Sequence, residues 1–439
     1  MTIIPRKLVG DCRHSLKTVT DNSIHVCITS PPYWRLREYL RKDHPLKHLE
    51  IGQEETFDLY VTHLLECFRE VRRVLRDDGT LWVNLGDRYT NAGRSTYDPK
   101  AKLMGRDESH PTAGSKRPAD LPGLKKKELC LVPQRVAMAL QADGWYLRSM
   151  IPWIKRNAMP ESVGDRPINA LEYVFLFSKT ERYYYDRYSV LVPSSPNTHP
   201  RASVFPHRQV RDVDNNRRRR RTNPKAALEA IGSKQNPSFA QACSDYIPAD
   251  RNRRNTDWFL ESWQGLLTDE DGDPLALVVN PKGTTITHFA AYPPKLVEPI
   301  IRCATSEAGC CSACGAPLMR VVETVKPDLD KQKQSGGDLF GTYTGKAKKD
   351  FDGNGVQNAS DVKRRILASM TIKKTRAWIP GCKCGAPAIP CTVLDPFSGT
   401  AVTLAAATAL GRYSIGCDIN ESYIKSSDAR DAQGALAVI

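Results

Sequence analysis

The segment that most constrains the fold lies near the end of the chain, at residues 393–420. It begins with a short apolar strand that ends at Asp395, and a tight turn, Pro-Phe-Ser-Gly-Thr, follows. Helix-like residues 401–410 come next, and residues 413–418 read as a second strand that ends in the acid Asp418. A strand, a glycine turn, a helix and a strand ending in an acid make half of a nucleotide-binding α/β unit. The pattern therefore predicts a mostly parallel sheet with helices packed on it.

Two common nucleotide fingerprints are absent from this sequence. It contains neither G-x-G-x-x-G nor G-x-x-x-x-G-K-[ST], which are the glycine patterns typical of dinucleotide sites and of phosphate-binding loops. The segment therefore does not indicate NAD or ATP as its ligand. An ordinary βαβ unit with a glycine turn is the simpler alternative.

A second informative segment lies near the start of the chain, where Thr-Ser-Pro-Pro-Tyr-Trp at 29–34 follows the apolar run 24–28. The run predicts a short buried strand. Because proline fixes φ and has no N–H, the rigid turn directs the carbonyl groups of Ser30 and Pro31 outward. Tyr33 places an aromatic ring beside them. Two acceptors and a stacking face suit a planar base that carries an exocyclic amine.

Together the two segments resemble the beta class, or permuted class, of DNA amino-methyltransferases. Residues 30–33, Ser-Pro-Pro-Tyr, match the catalytic motif [DNS]-P-P-[YFW]. Residues 395–400 match D-P-F-x-G-[ST], which resembles the S-adenosylmethionine (AdoMet) motif of the same enzymes. In that class the catalytic half comes first, a target-recognition region follows and the AdoMet half comes last, as in this sequence. Further stretches that resemble the family are 10–12, 79–87, 172–178 and 288–293.

The resemblance implies an α/β fold with a doubly wound, mostly parallel, seven-stranded-type AdoMet methyltransferase sheet, circularly permuted and carrying basic inserts. The expected organisation is a catalytic half at 1–190 with a loop insert at 89–128, a basic target-recognition region at 191–274, an AdoMet-binding half at 275–309 and 388–439, and a cysteine-flanked insert at 310–387. Residue periodicity predicts strands at 6–10, 24–28, 80–85, 145–154, 171–178 and 275–280, and helices at 57–75, 133–142 and 294–305. Residues 77–79, Asp-Asp-Gly, are expected to end the first helix.

The resemblance also implies roles for individual residues. The catalytic residues would be Ser30, Pro31, Pro32 and Tyr33. The cofactor site would comprise Asp395, Phe397, Ser398, Gly399 and Thr400 in the turn, Asp418 at the ribose hydroxyls, Asp11 with Cys12 at the adenine amine, and Phe289 at the methionine end. For Asp11 and Asp418, a strand-end acid that caps a turn is the alternative. Many relatives have a second glycine where this chain has Ala401, which predicts less room for close backbone approach.

The predicted reaction is site-specific transfer of a methyl group from AdoMet to the exocyclic N4 of cytosine in duplex DNA. Ser30 and the Pro31 carbonyl would orient the amine of a flipped base while Tyr33 stacks on it. In the family, Ser at the first motif position usually accompanies cytosine N4, and Asp or Asn accompanies adenine N6, which is the alternative here. An inactive DNA-binding protein with the same fold is an alternative of another class. Cytosine C5 methylation is not indicated, because the only Pro-Cys, at 390–391, lies just before the AdoMet strand.

The basic composition favours a polyanionic partner, since the formal net charge is +15. We expect this partner to be double-stranded DNA, and a restriction endonuclease that acts on the same site is a second expected partner. Phosphate contacts are expected from one arginine run, for which a solvated charged segment is the alternative. The run comprises Arg217, Arg218, Arg219, Arg220 and Arg221. No stretch resembles a signal peptide or a membrane span, so a cytoplasmic protein encoded by a prokaryote or phage is expected.

The cysteine pattern predicts a metal site. The segments Cys-Ser-Ala-Cys-Gly-Ala-Pro at 311–317 and Cys-Lys-Cys-Gly-Ala-Pro at 382–387 share the ending Cys-Gly-Ala-Pro. Two such knuckles predict a small zinc ribbon with four cysteine ligands. The ligands would be Cys311, Cys314, Cys382 and Cys384. The second pair is C-x-C rather than C-x-x-C, Cys310 could replace Cys311, and free cysteines at the neck of a loop are the alternative.

Overall fold

Eleven strands and six α-helices organise the described part of the chain, which comprises residues 3–90, 122–155, 165–167, 169–191, 292–325 and 372–432 of a computed structural model. The strands are β1 (Arg6–Val9), β2 (Ile24–Thr29), β3 (Leu75–Gly86), β4 (Tyr146–Ile154), β5 (Leu171–Ser178), β6 (Cys310–Cys311), β7 (Leu318–Val325), β8 (Ile372–Pro380), β9 (Ala388–Ile389), β10 (Thr392–Asp395) and β11 (Tyr413–Asp418). The helices are α1 (Cys12–Ser15), α2 (Phe57–Val74), α3 (Val132–Ala142), α4 (Pro294–Ala304), α5 (Val402–Ala409) and α6 (Glu421–Ala432).

Seven of the strands form one sheet in the order β1-β11-β10-β2-β3-β5-β4. Each neighbouring pair from β1 to β3 is parallel, whereas β5 is antiparallel to both β3 and β4. Six strands therefore run in one direction and β5 runs in the other. The predicted mostly parallel α/β sheet is confirmed.

Helices cover both faces of this sheet. Side chains of α2 and α3 share one hydrophobic core with Cys27 of β2 and Leu81 of β3. Side chains of α4 and α5 share a second core with Val26 of β2 and Trp82 of β3. Because successive side chains of a strand point to opposite faces, this alternation places the two cores on opposite sides, and the sheet is doubly wound as predicted.

Helix α2 forms where the apolar spacing predicts it. Thr56 caps its first turn, since the Thr56 hydroxyl accepts from the Leu59 N–H at 3.2 Å. The side chains of Tyr60, Leu64 and Phe68 recur every four residues and are buried, which is the spacing of one helix face. This face of α2 packs against the sheet, in the same hydrophobic core as Cys27 of β2, the strand that precedes the Ser-Pro-Pro-Tyr motif.

The end of α2 differs from the prediction, because the turn-like residues 77–79 do not terminate it. Strand β3 begins directly after the helix, and its ladder with β2 skips residues 76–79, which form an irregular bulge. Within the bulge, Arg76 donates to the Asp78 carboxylate at 2.8 Å, and the Asp78 carbonyl accepts from the Tyr184 N–H at 2.8 Å. Tertiary contacts thus turn a helix-stop signal into a bulge at the start of a strand.

Strands β10 and β2 are neighbours, although they come from opposite ends of the chain. The chain leaves β10 through α5 to β11 on one side, and it leaves β2 through α2 to β3 on the other side. Connections that depart in opposite directions open a crevice at the carboxyl ends of the two strands, where open α/β sheets bind ligands. Both sequence motifs directly follow these carboxyl ends.

The described residues fall into two compact units, and the seven-stranded sheet and the six helices belong to the first. In the second unit, Arg320 of β7 donates to the Thr375 hydroxyl of β8 at 2.6 Å and covers the ring of Trp378 at 4.3 Å.

In the ranges given above, no helix has the length and apolar character that a membrane crossing requires. The predicted strand at 275–280, most of the loop insert and the basic stretch at 193–256 lie outside the described residues.

Candidate active site

One cleft at the crevice between β10 and β2 brings the two sequence motifs together. Its empty space, which includes the open mouth, is about 970 Å³. Twelve of the residues predicted to form the catalytic and cofactor sites line it: Asp11, Cys12, Ser30, Pro31, Pro32, Tyr33, Asp395, Phe397, Ser398, Gly399, Thr400 and Asp418. Phe289 and the arginine run at 217–221 lie outside the described residues.

Asp395 ties the two motifs to each other. Its carboxylate accepts from the Thr29 hydroxyl at 2.6 Å, and Thr29 directly precedes the Ser-Pro-Pro-Tyr turn. It also accepts from the Thr403 hydroxyl at 2.7 Å and from the Phe397 N–H at 3.1 Å. Burial raises the pKa of Asp395, and the hydrogen bonds from Thr29 and Thr403 oppose that rise. Tyr292 also donates to this carboxylate, so each of its oxygens accepts two hydrogen bonds from the chain. Asp395 therefore positions the two turns rather than offering a free ligand atom.

The turn between β10 and α5 is held against β11. The Ser398 N–H donates to the Cys417 carbonyl at 2.8 Å, and the Gly399 N–H donates to the Asp418 carboxylate at 2.8 Å. Ala401 has φ 62° and ψ 37°, a left-handed conformation that an L-residue with a side chain rarely adopts. A glycine at this position would take the same conformation without strain, which gives the sequence departure at Ala401 a physical cost.

Asp418 combines the two roles that the sequence leaves open for it. One carboxylate oxygen accepts from the Gly399 N–H and the other from the Asn420 N–H, both at 2.8 Å, so the acid caps two turns. The same carboxylate lines the cleft. Burial raises its pKa to about 6, against these two backbone hydrogen bonds. Each carboxylate oxygen can accept a second hydrogen bond, so the acid can also bind a ligand hydroxyl.

Asp11 is the N-cap of the short helix α1 and is paired with Arg13. Its carboxylate accepts from the Arg13 N–H at 2.9 Å and from the Arg13 guanidinium at 2.7 Å. The neighbouring Cys12 is buried, with its Sγ 3.3 Å from the Cys67 Sγ. Both residues line the cleft, and Asp11 reaches it as a capping acid that is paired with an arginine.

The Ser-Pro-Pro-Tyr turn presents its polar groups unequally. The Pro32 carbonyl accepts from the Tyr60 hydroxyl at 2.9 Å, which fixes the turn to α2. The Pro31 carbonyl accepts no hydrogen bond from any residue that the structure describes. The Ser30 hydroxyl lies 3.4 Å from the Tyr33 hydroxyl, a long contact that a better acceptor or donor would replace. Ser30 and Pro31 are therefore the groups of this turn that can accept from a ligand.

Comparison with known proteins identifies the family of the chain. A protein-family profile described as N6_N4_Mtase, DNA methylase, matches residues 24–311 and 391–429, most of the chain. The chain belongs to this DNA methylase family.

Two of the relatives are Type II methyltransferases of bacteria. The Type II methyltransferase M.SmaI of Serratia marcescens is 46% identical over 188 residues, which are 43% of this chain and 60% of that protein. The Type II methyltransferase M.SfiI of Streptomyces fimbriatus is 42% identical over 186 residues, 42% of this chain and 38% of its own length. The chain thus spans about 60% or less of the length of these two relatives. A solved structure, PvuII DNA methyltransferase (cytosine-N4-specific), superposes with a TM-score of 0.42 and 15% identity, over 98% of this chain and 87% of that one.

A polar network beneath Tyr33 was not assigned a role by the sequence. The Tyr33 hydroxyl donates to the Glu172 carboxylate of β5 at 2.8 Å, and the Asn84 amide of β3 donates to both groups at 2.9 Å. Lys155 pairs with the other Glu172 oxygen. Burial and the adjacent Glu172 charge raise the pKa of Tyr33 well above 10. The network therefore holds Tyr33 as a neutral phenol in one orientation, with its ring packed against the backbone of Gly86.

Tyr292 is a second site residue without a predicted role. The sequence indicates the stretch 288–293 through Phe289, whereas the described member of that stretch at the cleft is Tyr292. Its hydroxyl donates to Asp395 at 3.0 Å and also contacts the Thr403 hydroxyl.

Trp34, the residue after the catalytic motif, is buried at 2% exposure against Phe57 and does not line the cleft. It is a core residue.

The cysteines form distinct groups. The Sγ atoms of Cys311, Cys314, Cys382 and Cys384 all lie within 4.8 Å of one another. Cys310 instead faces a buried group with His25 and Cys391. The four predicted ligands are therefore brought together, and Cys310, the alternative to Cys311, is directed elsewhere.

Proposed function

We propose that this protein is an AdoMet-dependent, site-specific DNA methyltransferase of the permuted class, and that it methylates the exocyclic N4 of cytosine. The observation that carries the proposal is that a single cleft joins the Ser-Pro-Pro-Tyr turn after β2 to the Asp-Pro-Phe-Ser-Gly-Thr turn after β10. The catalytic turn precedes the cofactor turn in the chain, the order expected of the permuted class. Family membership supports the DNA substrate.

The cleft offers AdoMet a set of partners of the right chemistry. Asp418 can accept from the ribose hydroxyls, and the turn at 396–400 is held open beside it by the hydrogen bond between Gly399 and Asp418. Tyr39 and Tyr423 add aromatic walls to the same cleft. When bound, AdoMet supplies an electrophilic methyl group, so that correct placement of the acceptor amine can provide much of the rate.

The catalytic turn would act on the amine of the base. An exocyclic amine is a poor nucleophile because its lone pair is delocalised into the ring. Hydrogen bonds from its N–H groups to the Ser30 hydroxyl and the Pro31 carbonyl would direct the lone pair away from the ring plane, and Tyr33 would stack on the flipped base. Asn84 and Glu172 would act as positioning residues by fixing the Tyr33 hydroxyl.

The choice of cytosine rests on Ser30. A neutral hydroxyl is a weaker acceptor than the carboxylate found at this position in many adenine-specific relatives. Methylation of adenine N6 uses the same geometry and is the competing outcome. We further propose that the basic stretch 193–256, with its arginine run at 217–221, contacts DNA phosphates, and that a restriction endonuclease recognises the same site.

Transfer of label from [methyl-³H]AdoMet to unmethylated duplex DNA tests the proposed activity. The wild-type protein should transfer label, and the single variants Ser30→Ala and Tyr33→Ala should lose at least about 100-fold in rate. Tyr146→Ala, which removes an exposed tyrosine from β4, is the matched control and should be unaffected.

Binding of AdoMet without transfer in the wild-type protein would instead favour the inactive DNA-binding alternative. Transfer to RNA or protein alone would contradict the proposed substrate. In either case the fold of each variant is checked by circular dichroism on the same preparation.

A further inference from the structure

We propose that Cys311, Cys314, Cys382 and Cys384 bind one structural Zn²⁺ ion; the two turns that carry these cysteines are together called the knuckle. We further propose that the knuckle acts as a brace, which means that it stabilises the amino-terminal ends of the strands that carry the two site motifs. This inference is independent of the proposed function. Four thiolates around zinc at about 2.3 Å place neighbouring sulfurs roughly 3.8 Å apart. The four Sγ atoms already lie within 4.8 Å of one another, so small side-chain rotations suffice to close a tetrahedral site.

The backbone holds these cysteines together without any help from a metal. Cys311 lies on β6 and is followed by a tight turn in which the Gly315 N–H donates to the Cys311 carbonyl at 2.8 Å. The Ser312 N–H donates to the Pro387 carbonyl at 3.0 Å, which joins this turn to the loop that carries Cys382 and Cys384. Strands β6 and β9 pair beside them. Preorganised thiols on two joined turns are the arrangement of closed structural zinc sites.

His25 excludes the neighbouring cysteine group as the metal site. Its Nε2 is 2.9 Å from the Gly315 carbonyl, and its Nδ1 accepts from the Thr392 N–H at 3.0 Å. The carbonyl can only accept, so Nε2 carries the proton and Nδ1 has its lone pair in a hydrogen bond. The imidazole therefore has no lone pair left for a metal ion, and Cys310 and Cys391 beside it lack a third ligand among the residues that the structure describes.

The same contacts connect the knuckle to the sheet. The Gly315 carbonyl is bound by His25 of β2, and the Cys314 carbonyl accepts from Arg76 at the start of β3 at 2.7 Å. Through its other nitrogen, His25 also binds Thr392 of β10. β2 and β10 are the strands that end in the two site motifs. The distance from His25 to the end of β2 is four residues, about 13 Å, so the brace lies at the opposite end of the strands from the cleft.

Metal analysis of the purified full chain tests the site directly. Protein expressed with zinc and purified without chelator should contain one zinc ion per chain when its metal content is measured by elemental mass spectrometry. After exchange of the zinc for Co²⁺, the protein should show the absorption spectrum of a tetrahedral cobalt–thiolate site. Cys384→Ser should reduce the content to below about 0.1 zinc per chain. Cys310→Ala, the matched control, should retain the metal.

Other metal outcomes would overturn the site. Four thiols that react freely with a thiol reagent in protein purified without chelator would contradict it. So would two disulfides in the non-reduced mass, iron in place of zinc, or loss of zinc in Cys310→Ala with Cys384→Ser unaffected. Because none of these readouts uses methyl transfer, they are distinguishable from failure of the proposed function.

Hydrogen exchange tests the brace. Removing zinc from the wild-type protein should accelerate amide exchange in β2 and β10 as well as in the knuckle. In His25→Ala, exchange in β2 and β10 should already be faster and should respond little to the chelator, although zinc is still bound. Acceleration confined to residues 310–325 and 372–390 in the wild type would overturn the brace while leaving the metal site in place.

Discussion

Two glycines, one in contact with Tyr33 and one in contact with the cofactor turn, allow the two functions of the cleft to be separated. Gly86 of β3 lies under Tyr33, and a Cβ built on Gly86 would be 2.6 Å from the Tyr33 Cε2 atom. Gly416 of β11 lies under the cofactor turn, where a Cβ would be 2.7 Å from the Leu404 Cδ2 atom and 3.0 Å from the Ser398 Cβ atom. The variants Gly86→Ala and Gly416→Ala are therefore matched in type, burial and overlap, but they displace different halves of the site.

The size of the effect follows from the overlap. Ordinary contacts begin near 3.4 Å, so the methyl group added by Gly86→Ala would push the Tyr33 ring by about 0.8 Å, a scale at which misplacement can cost ~100-fold in rate. That is about 3 kcal/mol of transition-state stabilisation. The ring cannot swing away freely, because Glu172 and Asn84 hold its hydroxyl. Overpacking should cost each variant roughly 1–3 kcal/mol of stability.

The assay is single-turnover methyl transfer at saturating AdoMet, with AdoMet affinity measured by calorimetry on the same protein. Gly86→Ala should lower the transfer rate about 100-fold and leave the AdoMet Kd within roughly twofold. Gly416→Ala should raise the Kd at least about tenfold and retain most of the rate at saturation. If the two variants impair rate and affinity to the same extent while remaining folded, the division of the cleft into a base side and a cofactor side is wrong.

Three further predictions concern strain, charge and the catalytic ring. Ala401→Gly relieves a left-handed alanine worth about 1–2 kcal/mol, which should offset the loss of the buried methyl group and the added chain entropy. Its unfolding free energy should therefore stay within ~1 kcal/mol of wild type. Ala405→Gly, inside the helix α5 that Ala401 precedes as N-cap, should instead lose about 2 kcal/mol, and equal losses in urea denaturation would argue against strain at Ala401. Since burial raises the Asp418 pKa to about 6, the carboxylate acceptor is lost as the pH falls through 6, and AdoMet affinity should drop by up to ~tenfold per pH unit below it. Asp418→Asn should bind AdoMet weakly, with an affinity that does not change with pH. A wild-type affinity that is constant from pH 7 to 5 would contradict the assignment. Tyr33→Phe keeps the stacking face and loses only the hydroxyl contacts to Glu172 and Asn84, so its transfer rate should stay within ~10-fold of wild type. Tyr33→Ala should lose more than that. Equal defects of the two variants in a steady-state transfer assay would mean that the hydroxyl, rather than the ring, is required.

The parts of the site that the sequence predicts are those encoded by contiguous residues. The apolar run before Ser30 and the glycine turn after Asp395 each specify a strand and its turn locally, and parallel pairing then places both carboxyl ends at one edge. The partners of these turns are different in kind. Glu172 reaches the site through the pairing of β5 with β3, and Tyr292 through the segment just before α4. Both lie in stretches that resemble the family, but nothing in those stretches indicates their contacts with Tyr33 and Asp395.

Two other features also depend on contacts that no local pattern encodes. The acid-glycine turn at 77–79 is read as a helix stop by its composition, but contacts to Arg76 and Tyr184 make it a bulge. Neighbouring Cys310 and Cys311 could not be distinguished by spacing, because only the alternation of side chains along β6 sends one to His25 and the other to the thiol cluster. In both cases the decisive contact comes from residues distant in the chain.

Nucleoside mass spectrometry tests directly whether this protein methylates cytosine N4 in DNA. DNA is taken from a methylation-free host that expresses this chain, beside the same host expressing its Ser30→Ala/Tyr33→Ala double variant. We expect N4-methylcytosine in the first sample and none in the second. N6-methyladenine alone would contradict the cytosine assignment, and the absence of both marks with folded, soluble protein would contradict methyltransferase activity on DNA.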